Sequence, residues 1–187
     1  MRYFLLEHDE KFQDVPLLKS WHAQLDVRKI KRGQSHALPH RVLLEIYPNP
    51  STVFSDVIVK PFLLLSDMAR KTVSIYESRI PYKQVVLLDY DNGLTSLYFL
   101  PILETVYCLS TKSEISREKT VIYHPVFEES KLPTQSIFEL GGLDNSFIVI
   151  RLDLAESLLR RGMRGIVLRE VEIVGSDSAP VKEGCDN

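Results

Sequence analysis

Val85-Val-Leu-Leu-Asp-Tyr90-Asp91-Asn92-Gly93-Leu94-Thr-Ser-Leu-Tyr-Phe-Leu100 is the stretch that decides the fold class. Two runs rich in valine, leucine and aromatic residues, 85–90 and 94–100, flank Asp91-Asn92-Gly93. Asn-Gly supplies the positive φ angles that a tight antiparallel hairpin turn requires. Pro101 interrupts the second run, and 102–109 continues as a candidate strand.

Working outward, residues 41–47 place Val42, Leu44 and Ile46 on one face of a strand, ended by Pro48-Asn49-Pro50. Residues 2–6 read as a first strand and 56–59 as an extended piece closed by Pro61. On the other side, 120–127 and 136–140 read as strands. The charged stretch 111–119 reads as a loop, and Gly141-Gly142 and Asp144-Asn145 as turns.

Two segments change period. Apolar 62–65 runs into Ser66-Asp67 and then Met68, Ala69, Thr72, Val73 and Tyr76. Apolar 147–150 leads to Asp153 and then Leu154, Ala155, Leu158 and Leu159. The spacing i, i+1, i+4, i+5 is a helical stripe, and each stripe follows an aspartate able to cap free N–H groups. Gly162, after Arg160 and Arg161, is a fitting stop. Strand-like runs, 84–90 and 165–173, follow the two helices. A third helix is expected from Asp14 and Pro16, with Leu18, Trp21 and Leu25 on one face, before a strand at 27–32. The expectation is an α+β fold: a mostly antiparallel sheet with a few short helices, including two strand–helix–strand units. It is one domain over 1–174, with 175–187 a polar, flexible tail.

Length and composition agree with one globular domain, since 187 residues fall in the range of roughly 100–200 for a single unit. Lys plus Arg number 23 and Asp plus Glu 25, so the net charge of −2 gives no general pull toward nucleic acid or an anionic membrane. No apolar run approaches the about 20 residues that span a bilayer, and the N-terminus lacks the apolar core of an export signal. Two cysteines, Cys108 and Cys185, form no framework, which fits a reducing, cytoplasmic setting.

No constellation for chemistry stands out. His36 and His40 are four apart, but Pro39 lies between them and no Glu follows the first. Asp89-Tyr-Asp91-Asn-Gly93 places its glycine fifth, where a calcium loop needs it sixth. Gly141-Gly142 lacks a phosphate-loop frame. Cys108 and His124 could be drawn as a dyad, yet a cysteine among apolar neighbours is most often a core residue. No catalytic residue, cofactor or metal is therefore assigned. Two basic clusters remain: Arg28, Lys29, Lys31, Arg32 and Arg41, and Arg160, Arg161, Arg164 and Arg169.

Five motifs in order, Phe54-Ser-Asp56-Val57, Leu63-Leu-Leu-Ser66, Val106-Tyr-Cys108-Leu-Ser110, Ile137-Phe138-Glu-Leu140 and Arg164-Gly165-Ile166-Val-Leu168, carry a family resemblance over about 54–173. In these the chain resembles the myxobacterial-type immunity domain, immunity-protein family eleven, of bacterial polymorphic-toxin systems. It departs at Arg151, where a serine is common, and at Glu139, where a basic residue is usual. The resemblance implies a non-enzymatic cytoplasmic protein that binds and neutralises a cognate toxin. Interfaces of that kind are anchored by aromatic and arginine side chains. Trp21 with Arg28, Lys29, Lys31 and Arg32 is the candidate partner-binding set. Two other readings compete: a small-molecule enzyme or ligand sensor with an unrecognised pocket, and a nucleic-acid-binding regulatory domain. The oligomeric state stays open.

Overall fold

The computed structural model describes residues 1–31 and 33–175; Arg32, Cys185 and all but the first residue of the tail expected over 175–187 lie outside the described residues. In chain order the strands are β1 (Tyr3–His8), β2 (Arg41–Glu45), β3 (Val57–Ile58), β4 (Leu64–Leu65), β5 (Tyr82–Asp89), β6 (Leu94–Pro101) and β7 (Thr105–Val106). They continue with β8 (Glu114–Ile115), β9 (Ile122–His124), β10 (Val126–Glu128), β11 (Ile137–Leu140), β12 (Ile148–Arg151), β13 (Ile166–Glu170) and β14 (Glu172–Val174). Two helices, α1 (Asp67–Tyr76) and α2 (Leu152–Arg160), follow β4 and β12. The fold is α+β and mostly antiparallel.

Two five-stranded sheets organise the molecule, one in the order β13-β1-β12-β11-β7 and the other β2-β5-β6-β4-β3. The hairpin at 85–100 is the spine of the second sheet, paired from Tyr82↔Pro101 to Asp89↔Leu94. Its loop holds four residues, wider than the tight turn expected. Gly93 has φ +65°, and the loop is organised from within by Asp89, which is fully buried. The Asn92 main-chain N–H donates to Asp89 Oδ1 at 3.1 Å and its side-chain amide to Oδ2 at 2.7 Å. Asn49 N–H donates to Oδ2 at 3.1 Å. These donors, the Asn92 side chain foremost, hold the Asp89 carboxyl below its ordinary pKa.

Period-two alternation sorts the strand residues between three cores. Phe4, Leu6, Val57, Leu65, Ile148 and Ile150 turn inward to a central core, which Ala69 and Val73 of α1 and Leu154, Ala155 and Leu158 of α2 complete. Their neighbours turn outward. Tyr3, Leu5, Phe138 and Val149 meet Cys108, Ile122 and Phe127 in one outer core. Leu44, Leu64, Val85, Leu87 and Tyr98 meet Leu25 in the other. The first sheet thus has the shared core on one face and an irregular length of chain over the other, whereas the second reaches the shared core mainly through β3 and β4 and carries its irregular cover over the outer core.

The irregular covers are where expectation and structure differ. No helix forms at 14–25. Instead Leu18 bridges Ile46, Lys19 N–H donates to the Glu45 carbonyl at 2.8 Å, and Ser20 takes a left-handed φ of 48°. Only a single 3-10 turn, Trp21–Ala23, follows. The expected strand at 27–32 is a second 3-10 turn, Val27–Lys29, whose Arg28 N–H is capped by Asp26. The run 102–109 contributes only β7, and the loop expected at 111–119 contains β8. The run 120–127 divides at Pro125, which has no N–H to give a ladder. The run 165–173 divides at Val171: β13 pairs with β1, whereas β14 pairs in parallel with β10. The helix starts differ in detail too. Ser66, not Asp67, caps α1, its hydroxyl accepting from Ala69 N–H at 3.2 Å. Arg151 occupies the cap position of α2, and Asp153 lies one residue inside the helix.

Candidate functional site: a cleft at the seam of the two sheets

Where the end of β6 passes β7, the two sheets leave a cleft of about 690 Å³. Its apolar lining comes from all parts of the fold: Phe62, Leu63, Leu100, Leu103, Leu140 and Ile148. One wall is the cover of the second sheet, carrying Trp21, His22, Arg28 and Lys31. Facing it are Tyr107, Glu139, Asp144 and Lys119.

Three of the five residues singled out in the sequence therefore come together. Trp21 is half-buried, its ring edge-on to Phe62 at 5.4 Å and tilted over His22 at 3.5 Å between centroids. It anchors the wall to the core and presents its remaining surface to the cleft. Arg28 is exposed and doubly bonded to Asp26 through Nε at 3.0 Å and Nη2 at 3.2 Å. That hydrogen bonding raises the pKa of the guanidinium and lowers that of the Asp26 carboxyl. Lys31 has no ion-pair partner among the described residues and lines the cleft as a free cation. Lys29 is exposed and does not line it.

The facing wall was not legible from the chain. The Tyr107 ring lies against Gly141, where a Cβ would stand 2.8 Å from it. The Gly141-Gly142 turn is thus the bed of an exposed aromatic. Glu139 N–H donates to the Glu104 carbonyl and Gly141 N–H to the Val106 carbonyl, at 2.9 and 2.8 Å. Residues 104 and 106 therefore address β11, and the alternate main-chain groups of Thr105 and Tyr107 face the cleft as an open strand edge. Basic side chains on one wall, the carboxylates of Glu139 and Asp144 beside Lys119 on the other, and apolar surface between them make a surface for recognition.

The remaining candidates lie elsewhere. His36 sits in the 3-10 turn Ser35–Ala37, and no group of three or more His, Cys, Asp or Glu among the described residues is placed to hold a metal ion. Cys108 is buried in an outer core, and burial pushes its thiol up to about 12, away from the reactive thiolate. His124 is exposed and contacts Glu172 at 3.1 Å. Much of the second basic cluster is used internally. Arg160 pairs with Glu156, Arg161 bonds Ser157, and Arg169 joins Glu7 to the carbonyls of Ile122 and Tyr123. Among the described residues no helix is long and apolar enough to cross a membrane. No protein-family model and no curated protein sequence matches the chain.

Proposed function

We propose that the chain is a non-enzymatic binding protein, an immunity protein that neutralises a cognate toxin inside the cytoplasm of a bacterium. The toxin engages the seam cleft through Trp21, Lys31 and Tyr107. The observation that carries this reading is the convergence of Trp21, Arg28 and Lys31 with Tyr107, Glu139 and Asp144 around apolar surface. Aromatic anchors ringed by charge of both signs are the usual make-up of a specific protein interface. The motif resemblance over about 54–173 supplies the kind of partner. The test is to co-express the chain with the product of each neighbouring gene and look for a stable complex and relief of toxicity. The expected result is one toxic neighbour that copurifies. Its affinity falls at least about tenfold for Trp21→Ala and for Tyr107→Ala. Neighbours that are neither toxic nor bound would remove the proposal.

A second reading rests on the size of the cleft, about 690 Å³, which lies within the range of small-ligand sites. It expects thermal stabilisation by a metabolite library, lost in Trp21→Ala. No stabilisation by any member would discard it.

A further inference from the structure

The inner face of the β2–β5–β6 sheet is covered over only part of its length. α1 packs over β4 and β6, and near its start the Arg70 guanidinium sits 4.5 Å above the ring of Phe99. Past Phe99, toward the hairpin loop, the strand registers align three rows across the face. These are Arg41–Gln84–Phe99, Leu43–Val86–Leu97 and Glu45–Leu88–Thr95. Their alternates, Val42, Leu44, Val85, Leu87 and Tyr98, are buried on the opposite face, so the three rows share one side. Leu43 and Leu97 are 47% and 45% exposed, and Val86 and Leu88 are half-buried between them. Tyr47 and Tyr90 follow on the same alternation and are exposed as well. This is a contiguous apolar surface, not the scatter of single exposed residues that any protein shows.

We propose that this face binds a second copy of the chain. The charge pattern selects that partner. Arg41 and Glu45 lie on one strand, on either side of the apolar row through Leu43. Stack two copies about a two-fold axis along the row Leu43–Val86–Leu97 and the strands of one run opposite to those of the other. The apolar row then meets itself, and Arg41 of each copy falls opposite Glu45 of the other. Such a contact is self-complementary, as a two-fold interface must be. Both charges retain capacity for it. Arg41 uses Nε on Gln84 at 2.8 Å, which leaves its Nη groups. Glu45 Oε1 holds Lys19 at 3.0 Å, and a carboxylate accepts several donors. Trp21 packs on the other face of this sheet, so pairing leaves the seam cleft open in each copy.

Sedimentation velocity of the full chain over a dilution series tests the idea. The expected result is a monomer–dimer equilibrium with a micromolar dissociation constant. Leu97→Arg weakens it at least about tenfold, with the circular dichroism spectrum unchanged because the position is exposed. Arg41→Glu and Glu45→Arg each weaken association, and the two together restore it, since the reversed pairs meet across the axis. A chain that stays monomeric at high micromolar concentration would overturn the proposal. So would a dimer indifferent to Leu97→Arg, or a combined charge swap no tighter than either single variant.

Discussion

The two strand–helix–strand units, β4–α1–β5 and β12–α2–β13, bring the same apolar spacing to the same central core, yet they begin and end their helices by different chemistry. In the first, the Ser66 hydroxyl caps α1 and is itself held by Asp56 Oδ1 at 3.1 Å. In the second, the α2 cap position is Arg151, whose guanidinium grips Asp153 through Nε and Nη2 at 2.8 and 2.6 Å. Asp153 Oδ1 in turn accepts Leu154 N–H at 2.9 Å. The ends are crossed over. Beyond α1, Glu77 accepts Ser136 N–H at the entrance to β11 in the other sheet. Beyond α2, Gly165 presses on the carbonyl of Val57, and Arg164 N–H donates to Asp56 Oδ2 at 3.1 Å. Each unit is closed by a contact on the sheet that holds the other, at Ser136 before β11 and at Asp56 and Val57 where β3 begins, so an apolar stripe places a helix while polar joints decide which neighbour it locks to.

The deepest joint should be the hardest to disturb. Gly165 has φ +95°, and an added Cβ would lie 2.6 Å from Val57 O and 2.8 Å from the Ser55 side chain. Backbone strain and collision with a strand carbonyl together predict a loss of about 3 kcal/mol or more for Gly165→Ala. Gly162 also has positive φ, +67°, but meets nothing within 4 Å. Gly162→Ala should cost only the left-handed penalty, about 1 kcal/mol. Urea denaturation of both variants measures the difference, and equal losses would show that the contact with β3 contributes nothing.

The two helix starts come next. Ser66→Ala removes a cap and should cost about 1 kcal/mol, recovered by Ser66→Thr, whose hydroxyl can accept from Ala69 and donate to Asp56, and not by Ser66→Asp, whose carboxylate would face that of Asp56. Arg151→Ala should cost a similar amount, about 1 kcal/mol, through the partly exposed pair with Asp153 and the bond to the Thr134 carbonyl. Arg151→Lys should not recover it, because an ammonium cannot bridge both carboxylate oxygens. Rescue of α2 by lysine would mean that charge alone, and not the two-pronged geometry, starts that helix.

What could be read beforehand divides along the same line. The alternation in 41–47 and 85–100 and the stripes after Ser66 and Asp153 were legible, because one side of each element must be buried and the chain has one way to do it. The segment 14–32 was not. Leu18, Trp21 and Leu25 fit a helical period, but Leu18 is taken by the edge of β2 and Ser20 turns the chain left-handed, so an irregular cover buries the same residues. Half the seam cleft was legible for a related reason. Trp21, Arg28 and Lys31 are close together in the chain. Tyr107 and Glu139, by contrast, are set opposite them by the parallel pairing of β7 with β11, which nothing local announces. Gly141-Gly142 was the available sign, and it means a bed for Tyr107 only once that ring is placed.

The smallest effect expected is one of acid and salt. Hydrogen bonds from Lys71 and Arg70 hold the Asp67 carboxyl below its ordinary pKa, and Arg151 does the same for Asp153. A carboxyl depressed on folding stabilises the native state once pH exceeds the unfolded value, about 3.9. That contribution is lost as pH falls through the lower folded value. Urea midpoints should therefore hold from neutrality to about pH 5 and decline below about pH 4. Asp67→Asn and Asp153→Asn should each make that decline shallower while lowering the plateau, which separates their shares from those of Asp26, Asp89 and Glu170, also depressed. Salt tells the two helices apart. Lys71 and Asp67 are both well exposed and their attraction is screened, whereas Arg70, the second partner of Asp67, is nearly as enclosed as Arg151. In about 0.5 M sodium chloride the Asp67→Asn difference should shrink by the share of Lys71, and the Asp153→Asn difference should persist. Equal screening would place both helix starts on the surface and leave the crossed contacts at Gly165 and Glu77 as the sole distinction between the units.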